Sequence, residues 1–261
     1  MKIVTYNLNG IRAAMNRGFA NWLAENDFDI VCIQELKADP SQFDNGVFER
    51  LGYHLYWFPA QKKGYSGVAI FSKQKADFIE YGCGNEEFDK EGRVLRCDYG
   101  DLSVFSIYFP SGTTGEVRQA VKYVFLDFIF DYLQKIQETR KKMIVCGDYN
   151  ICHKPIDIHD PVGNKNSSGF LPEERTWLEK FYTAGFVDAF RNFNQEPHQY
   201  TWWSYRANAR ANNKGWRIDH IAVTANLVTQ LRSSVIMPLA IHSDHCPVVL
   251  ELEDFRNLAT S

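Results

Sequence analysis

KMIVCGDYN, Lys142 to Asn150, is an apolar strand that stops on an acid and an amide. Met143 to Cys146 form a short continuous apolar run, the signature of a strand buried on both faces. Asp148 and Asn150 then close it. The pattern recurs along the chain. KIVTYN (Lys2 to Asn7) ends at Asn7, with Asn9 just beyond, and DIVCIQE (Asp29 to Glu35) ends at Glu35. RVLRCDYGDLSVFSIYFP reads as two strands joined at Gly100-Asp101, a hairpin signal, and carries Tyr108 near its end. WRID puts Asp219 in a strand, and SDHCP sets Asp244 and His245 ahead of another, PVVLEL.

Helical patterns fall between these strands. Phe19, Trp22 and Leu23 are spaced for one helical face, and Glu116 to Lys135 reads as a long amphipathic helix. LPEERTWLEKFY (Leu171 to Tyr182) restarts a helix with Pro172 suited to its first turn. YHLYWF, GVAIFSK, YTWWSY, WRIDHIAV and SSVIMP read as further strands, and Asp157 to Gly169 as a polar loop. No linker divides the chain. The pattern predicts a single α/β domain over residues 1–261, with two sheets face to face and helices outside.

The chain has 261 residues and 45% hydrophobic content, enough for a large core. MKIVTYNLNG lacks the apolar run of a signal peptide, and no stretch is long enough to span a bilayer. The richest, Val121 to Leu133, is interrupted by Lys122, Asp127 and Asp131. The six cysteines form no C-x-x-C pair and several lie in strands, so a reduced, cytoplasmic protein without disulfides or structural zinc is expected. Net charge is −3, so a polyanionic partner must be drawn by a local basic surface or a metal.

Any one of these strand-end residues, alone, is ordinary turn chemistry. If the ends converge, carboxylates, amides, a phenol and an imidazole share one crevice. Crowded carboxylates repel, and a hard divalent cation is the simplest remedy. Oxygen donors of this kind suit Mg²⁺ or Mn²⁺ rather than zinc. Such a set fits phosphoryl-ester hydrolysis.

The blocks TYNLNGIRA, CIQELK, YFPSG, GDYNICHKPID, NSSGFLPEER, TWWSY, GWRIDH and SDHCP, taken in order, resemble the exonuclease III family of apurinic/apyrimidinic (AP) endonucleases, within the endonuclease–exonuclease–phosphatase superfamily. The resemblance runs from Lys2 to Glu253. It implies a four-layered α/β/β/α sandwich of the DNase I-like kind, with two central mixed sheets. It also implies roles. Glu35 resembles the principal metal ligand, supported by Asn7, with Asp244 at a further metal position. Asp148 resembles the acid that handles the catalytic proton. Asn150 orients water and phosphate, and Tyr108 contacts phosphate or the leaving group. His245 binds the scissile phosphate, oriented by Asp219. The implied ligand set is Asn7, Glu35, Asp148, Asn150, Asp244 and His245, with Mg²⁺ as the ion and Mn²⁺ as a substitute.

Composition around the last third favours DNA over the lipid or inositol phosphates that the same chemistry would serve. TWWSYRANARANNKGWRID interleaves Trp202 and Trp216 with Arg206, Arg210 and Lys214. By themselves the two tryptophans read as core. With the resemblance, Trp202, Trp216 and Ile218 match a pocket for a flipped-out abasic sugar. Arg206 matches a side chain inserted into the groove. Ser111, His153, Asn164 and Lys165 match positions near backbone phosphates, and Asn9 joins this DNA-facing set. Ser111 stands where many relatives have Asn, and His220 follows Asp219 as a packing variant.

The expected function is Mg²⁺-dependent incision 5′ to abasic sites, leaving a 3′-hydroxyl, with 3′-phosphodiesterase, 3′-phosphatase and 3′→5′ exonuclease activities. The expected partner is double-stranded DNA with abasic sites or 3′-blocked ends, met by a monomer at the nucleoid and no membrane. The alternatives are a 3′-exonuclease/3′-phosphatase specialist and a non-catalytic RNA-associated regulator like the catabolite repression control protein.

Overall fold

The computed structural model describes residues 1–253. In chain order the strands are β1 (Lys2–Asn7), β2 (Ile30–Gln34), β3 (His54–Phe58), β4 (Val68–Ser72), β5 (Phe78–Tyr81), β6 (Val94–Tyr99), β7 (Leu102–Tyr108), β8 (Lys142–Asp148), β9 (Phe186–Asp188), β10 (Asp219–Thr224), β11 (Leu231–Ile236) and β12 (Val248–Leu252). The helices are α1 (Ile11–Asn16), α2 (Phe19–Asn26), α3 (Gly46–Arg50), α4 (Glu86–Lys90), α5 (Glu116–Thr139), α6 (Pro172–Thr183) and α7 (Ala189–Phe193).

Strand alternation sorts the side chains into layers. Ile3, Cys32 and Ile70 from one sheet meet Val104, Ile144 and Ile221 from the other in a shared interior. Val4 and Val31 point the other way, onto Phe19, Leu23 and Phe48 of the helices α2 and α3. Phe105 and Val145 face Phe125, Ile129 and Leu133 of α5 and Trp177 and Phe181 of α6. The result is the expected α/β/β/α order. Phe125 is fully buried, and its truncation to Ala would cost about 3–5 kcal/mol.

Both six-stranded sheets are mixed, with orders β11-β12-β1-β2-β4-β3 and β5-β6-β7-β8-β10-β9. Each holds one central parallel pair, β1/β2 and β7/β8, among antiparallel neighbours. Parallel pairing makes the C-terminal ends of β1, β2, β7 and β8 finish together. The antiparallel strands β10 and β12 start at the same edge. The polar strand ends therefore gather at one rim because of strand direction alone.

Three expectations are revised. α5 runs on to Thr139 instead of ending at Lys135. YTWWSY is not a strand: Trp202 forms only isolated bridges to Trp216 and His245. Its backbone divides between two partners, since Trp202 N–H donates to Trp216 O at 2.9 Å and Trp203 N–H to Asp244 O at 3.1 Å. The WRIDHIAV strand starts only at Asp219, because Arg217 N–H is taken by Asp157 O at 2.7 Å. The edge strands β5 and β9 and the helices α1, α3, α4 and α7 carry too few residues for a periodic signal.

Candidate active site at the shared rim of the two sheets

Register builds the floor. Tyr108, Asp148 and Asp219 occupy one rung across β7, β8 and β10. Asp148 is 1% exposed. Its Oδ1 accepts the Asn150 backbone N–H at 2.8 Å, and its Oδ2 accepts Asn7 Nδ2 at 2.8 Å and Asn150 Nδ2 at 3.2 Å. Burial, then the Asp219 and Glu35 carboxylates, push the Asp148 carboxyl far above the usual carboxylate range, with His245 opposing.

His245 Nδ1 lies 2.9 Å from Asp219 Oδ2 and 3.2 Å from Oδ1. A carboxylate only accepts, so Nδ1 carries a proton and Nε2 is left toward Asp148, 4.0 Å from its Oδ2. Burial alone would lower the imidazole pKa; the Asp219 contact overrides it, and with Asp148 and Asp244 raises it to about 10. Thr201 Oγ1 accepts the N–H groups of Ile218 and Asp219, both at 3.1 Å, and fixes the start of β10.

The other sheet supplies Asn7, Gln34 and Glu35. Asn7 Nδ2 bridges Glu35 Oε1 at 2.9 Å and Asp148 Oδ2, while its Oδ1 accepts Asn9 N–H at 2.9 Å. Here Asn7 offers the two carboxylates its donor and turns its oxygen to the backbone. Lys37 pairs with Glu35 Oε2 at 2.7 Å and also donates to Asn9 Oδ1. Beneath them Thr5 Oγ1, Gln34 and Ser106 form a buried chain that ties the sheets together. Glu35, Asn9 and Asn150 all sit at positive φ, 53°, 48° and 53°. For Glu35, which lacks the Asn tolerance of this region, that strain is of order 1–3 kcal/mol and marks a held functional position.

Glu35, Asp148 and His245 bring ligand atoms within 4.8 Å of one another. Two carboxylates this close, oxygen-rich and edged by amides, fit a hard divalent cation. Asp244 stands apart from that trio. Its Oδ1 accepts Asn9 Nδ2 at 2.9 Å and Ser243 Oγ at 3.1 Å, and its Oδ2 accepts Trp202 Nε1 at 3.1 Å. Burial would raise its pKa; His245 and these donors lower it instead.

Tyr108 is clamped by Arg93. The guanidinium lies 4.9 Å from the ring centroid, and Nη1 donates to Tyr108 O at 2.9 Å. Burial, then Glu35 and Asp148, hold the phenol well above its ordinary pKa, so it remains a proton donor.

A cavity of about 750 Å³ opens over this floor. Glu35, Tyr108, Ser111, Asp148, Asn150, Trp202, Trp216, Ile218, Asp244 and His245 line it. Trp202 and Trp216 stand edge to face, centroids 6.0 Å apart. Asn7 and Asp219 support the floor from behind. Asn9, His153, Asn164, Lys165 and Arg206 do not line the cavity. His153 Nε2 is paired with Glu179 Oε2 at 2.7 Å, and Asn164 Nδ2 holds its own loop through His159 O and Asp160 O, both at 3.0 Å. Lys165 and Arg206 are exposed. Sequence reasoning missed Lys37, Lys122 and Glu174, whose lone charges look like solvated surface. His220 packs as expected, buried and edge-on to Tyr149, and it also bonds, with Nε2 2.8 Å from Ile151 O and Nδ1 accepting from Arg217 at 3.1 Å.

Residues 4–245 match the Endonuclease/Exonuclease/phosphatase family. The chain is 40% identical over 252 residues to an exodeoxyribonuclease of Bacillus subtilis, covering 96% of this chain and 98% of that one. It is 37% identical over 255 residues to the DNA repair nuclease APEX1 of Danio rerio, covering 97% and 82%. A solved AP endonuclease from Archaeoglobus fulgidus superposes with a TM-score of 0.90 at 32% identity, covering 97% of this chain and 100% of that one. The chain belongs to the endonuclease/exonuclease/phosphatase family, as an enzyme of its branch of exodeoxyribonucleases and AP endonucleases.

Proposed function

We propose that this protein is a Mg²⁺-dependent AP endonuclease that cleaves the phosphodiester 5′ to an abasic site, leaving a 3′-hydroxyl. One observation carries the reading: an Asp219-held His245 faces the Glu35–Asp148 carboxylates on the floor of a cavity walled by two tryptophans. Glu35 and Asp148 would hold the ion, with Asn7, Asn150, Asp244 and His245 around them. Bound there, Mg²⁺ supplies positive charge to a phosphate oxygen.

The side chains divide the remaining work. His245, held as the imidazolium by Asp219, donates from Nε2 to a non-bridging phosphate oxygen. With a cation beside it to offset the crowding that raises its pKa, Asp148 as the carboxylate accepts a proton from the attacking water. Asn150 orients that water and the phosphate. The bond from phosphorus to the 3′ oxygen breaks, and Tyr108 stands ready to protonate that oxygen. Trp202, Trp216 and Ile218 receive the abasic sugar and exclude a base by size. Ser111, Asn9, Lys165 and Arg206 steer the DNA backbone, with His153 and Asn164 as more distant contacts. The same floor would remove 3′-phosphates and other 3′ blocks and trim 3′ ends. The protein acts on double-stranded DNA as a monomer, in the cytoplasm at the nucleoid, with Mn²⁺ able to replace Mg²⁺.

A second reading, a 3′-exonuclease and 3′-phosphatase specialist, draws on the Ser111 loop. Ser111 Oγ is tied to Thr113 Oγ1 at 3.0 Å, within its own loop. Solved Neisseria proteins named as a 3′-5′ exonuclease and a 3′ phosphatase, both 27% identical, also superpose over 97% of the chain. A duplex with one central abasic analogue separates the readings. Incision beside the lesion with Mg²⁺, abolished by EDTA, supports the first. Trimming from 3′ ends alone supports the second, and no cleavage with any divalent metal sinks both.

A further inference from the structure

We propose that the buried Lys122–Glu174 ion pair is a positioning device for Asn150 and for the Trp216 wall. The proposal rests on the reading of this rim as a phosphodiester-cleaving site. Lys122 lies in α5 and Glu174 in the first turn of α6, and both are 0% exposed. Lys122 Nζ contacts Glu174 Oε1 at 2.5 Å and donates to the main-chain oxygen of Asn150 at 2.8 Å. Glu174 Oε2 accepts the N–H groups of Gly169 at 2.6 Å and Leu171 at 3.0 Å. Gln119 Nε2 adds a second donor to Glu174 Oε1 at 3.0 Å.

Two buried charges are a poor source of stability. Desolvation offsets much of their attraction, and an apolar pair of the same volume is often as stable. What this pair does that an apolar pair would not is reach backbone at the site. Asn150 has positive φ and lies beyond the end of β8, so no sheet ladder holds its carbonyl. Its N–H is held by Asp148 and its carbonyl by Lys122, which leaves the side-chain amide aimed at Asp148 and Phe109 O. Through Glu174 the same charge pair pins Gly169. Gly169 packs so tightly that an added Cβ would fall 2.9 Å from the Trp216 ring and 3.1 Å from Asn150 O. One ion pair thus sets a catalytic amide and seats a pocket wall. Both side chains are fully buried, so both act through Asn150 and Gly169.

The test pairs Lys122→Met with Glu174→Gln. The double variant keeps side-chain length and keeps an oxygen for the Gly169 and Leu171 N–H groups, so its unfolding midpoint should stay within about 5 °C of wild type. On the abasic duplex with Mg²⁺, kcat should fall roughly 100-fold with KM little changed. In an Asn150→Ala background the same change should cost less than about twofold, since coupled positions are not additive. Amide exchange should quicken in residues 148–152 and 167–171 and not across the sheets. Lys122→Arg keeps the charge opposite Glu174 if the double variant does not fold; its rigid fork should cost about tenfold, again cancelled by Asn150→Ala. A near-wild-type rate, losses that add to those of Asn150→Ala, or exchange that rises throughout the molecule would each overturn the proposal. A wild-type protein that cuts no DNA would sink the functional reading instead, and local exchange would still decide the brace.

Discussion

Asp219 grips His245 Nδ1 at 2.9 Å, and the grip makes Nε2 the working atom. Asp219→Asn removes the charge that sustains the imidazolium and offers a ring partner that no longer selects the tautomer. The rate should fall on the order of 10³–10⁴-fold, by analogy with carboxylate–imidazole pairs elsewhere. The pH profile should also move. In wild type the imidazolium persists until pH climbs through about 10. Without Asp219 it is lost nearer the ordinary histidine value, so the alkaline limb should shift down. Single-turnover rates from pH 6 to 9 check this, and an unmoved limb would reject the role.

Asp148 stores the opposite tension. Its buried carboxyl is crowded by Asp219 and Glu35, and its folded pKa is raised. A raised carboxyl contributes stability only when protonated, below the unfolded value near 4, and loses it as pH rises through the folded value. At neutral pH and without metal the crowded carboxyl costs stability, because folding holds on it a proton that the unfolded chain releases above about pH 4. Asp148→Asn should therefore raise the melting temperature in EDTA while lowering the cleavage rate by several orders of magnitude. Calorimetry alongside the incision assay decides it: a lower melting point in EDTA contradicts the tension.

Strand ends were readable because a polar residue closing an apolar run is a visible break in pattern. Glu35, Asp148 and His245 meet where that break predicts. Lys122 was equally visible as an interruption of an apolar stretch, but a lone lysine on a helix reads as solvated. Only the pairing with the distant Glu174 reveals that it is buried. The aromatic run YTWWSY failed for a related reason. Its composition is that of a strand, yet its hydrogen bonds are divided between Trp216 and Asp244, a tertiary fact with no local trace.

Metal binding should register as stability as well as activity. Mg²⁺ at about 100 times its dissociation constant should stabilise the folded protein by about 2.7 kcal/mol. Glu35→Gln removes one of the two close carboxylates. The expected outcome is a melting shift with Mg²⁺ in wild type and little or none in the variant, read by scanning calorimetry with CaCl₂-free buffer. An equal shift in both would move the ion away from Glu35.

Trp216 separates recognition from chemistry. It lines the cavity, packs on Gly169 and lies edge to face with Trp202. Trp216→Ala should weaken incision at abasic sites by more than it weakens 3′-phosphate removal, because the second reaction needs no flipped sugar. The loss of aromatic stacking sets the scale at roughly 1–3 kcal/mol. Equal losses in the two assays would make Trp216 purely structural.

The cluster behind the site should contribute to acid stability. Asp157 is buried and accepts Arg217 Nε at 2.7 Å and Arg191 Nη2 at 2.6 Å. Burial alone would raise its pKa; Arg217 and Arg191 override it and bring it down to about 2. A depressed carboxyl contributes stability that is present above the unfolded value near 4 and lost as pH falls through the folded one. Asp157→Asn leaves Arg217 buried with one of its two carboxylate partners and should cost about 3–5 kcal/mol at pH 7. That cost should shrink between about pH 4 and pH 2, where wild type loses the same contribution. Urea unfolding across this range measures it. Because the Asp157 carboxylate holds the Arg217 guanidinium two residues ahead of Asp219, the variant should lose Asp219 alignment and cleavage rate together with stability. A gap between variant and wild type that stays constant down to pH 2 would show that Asp157 acts through packing and not through charge.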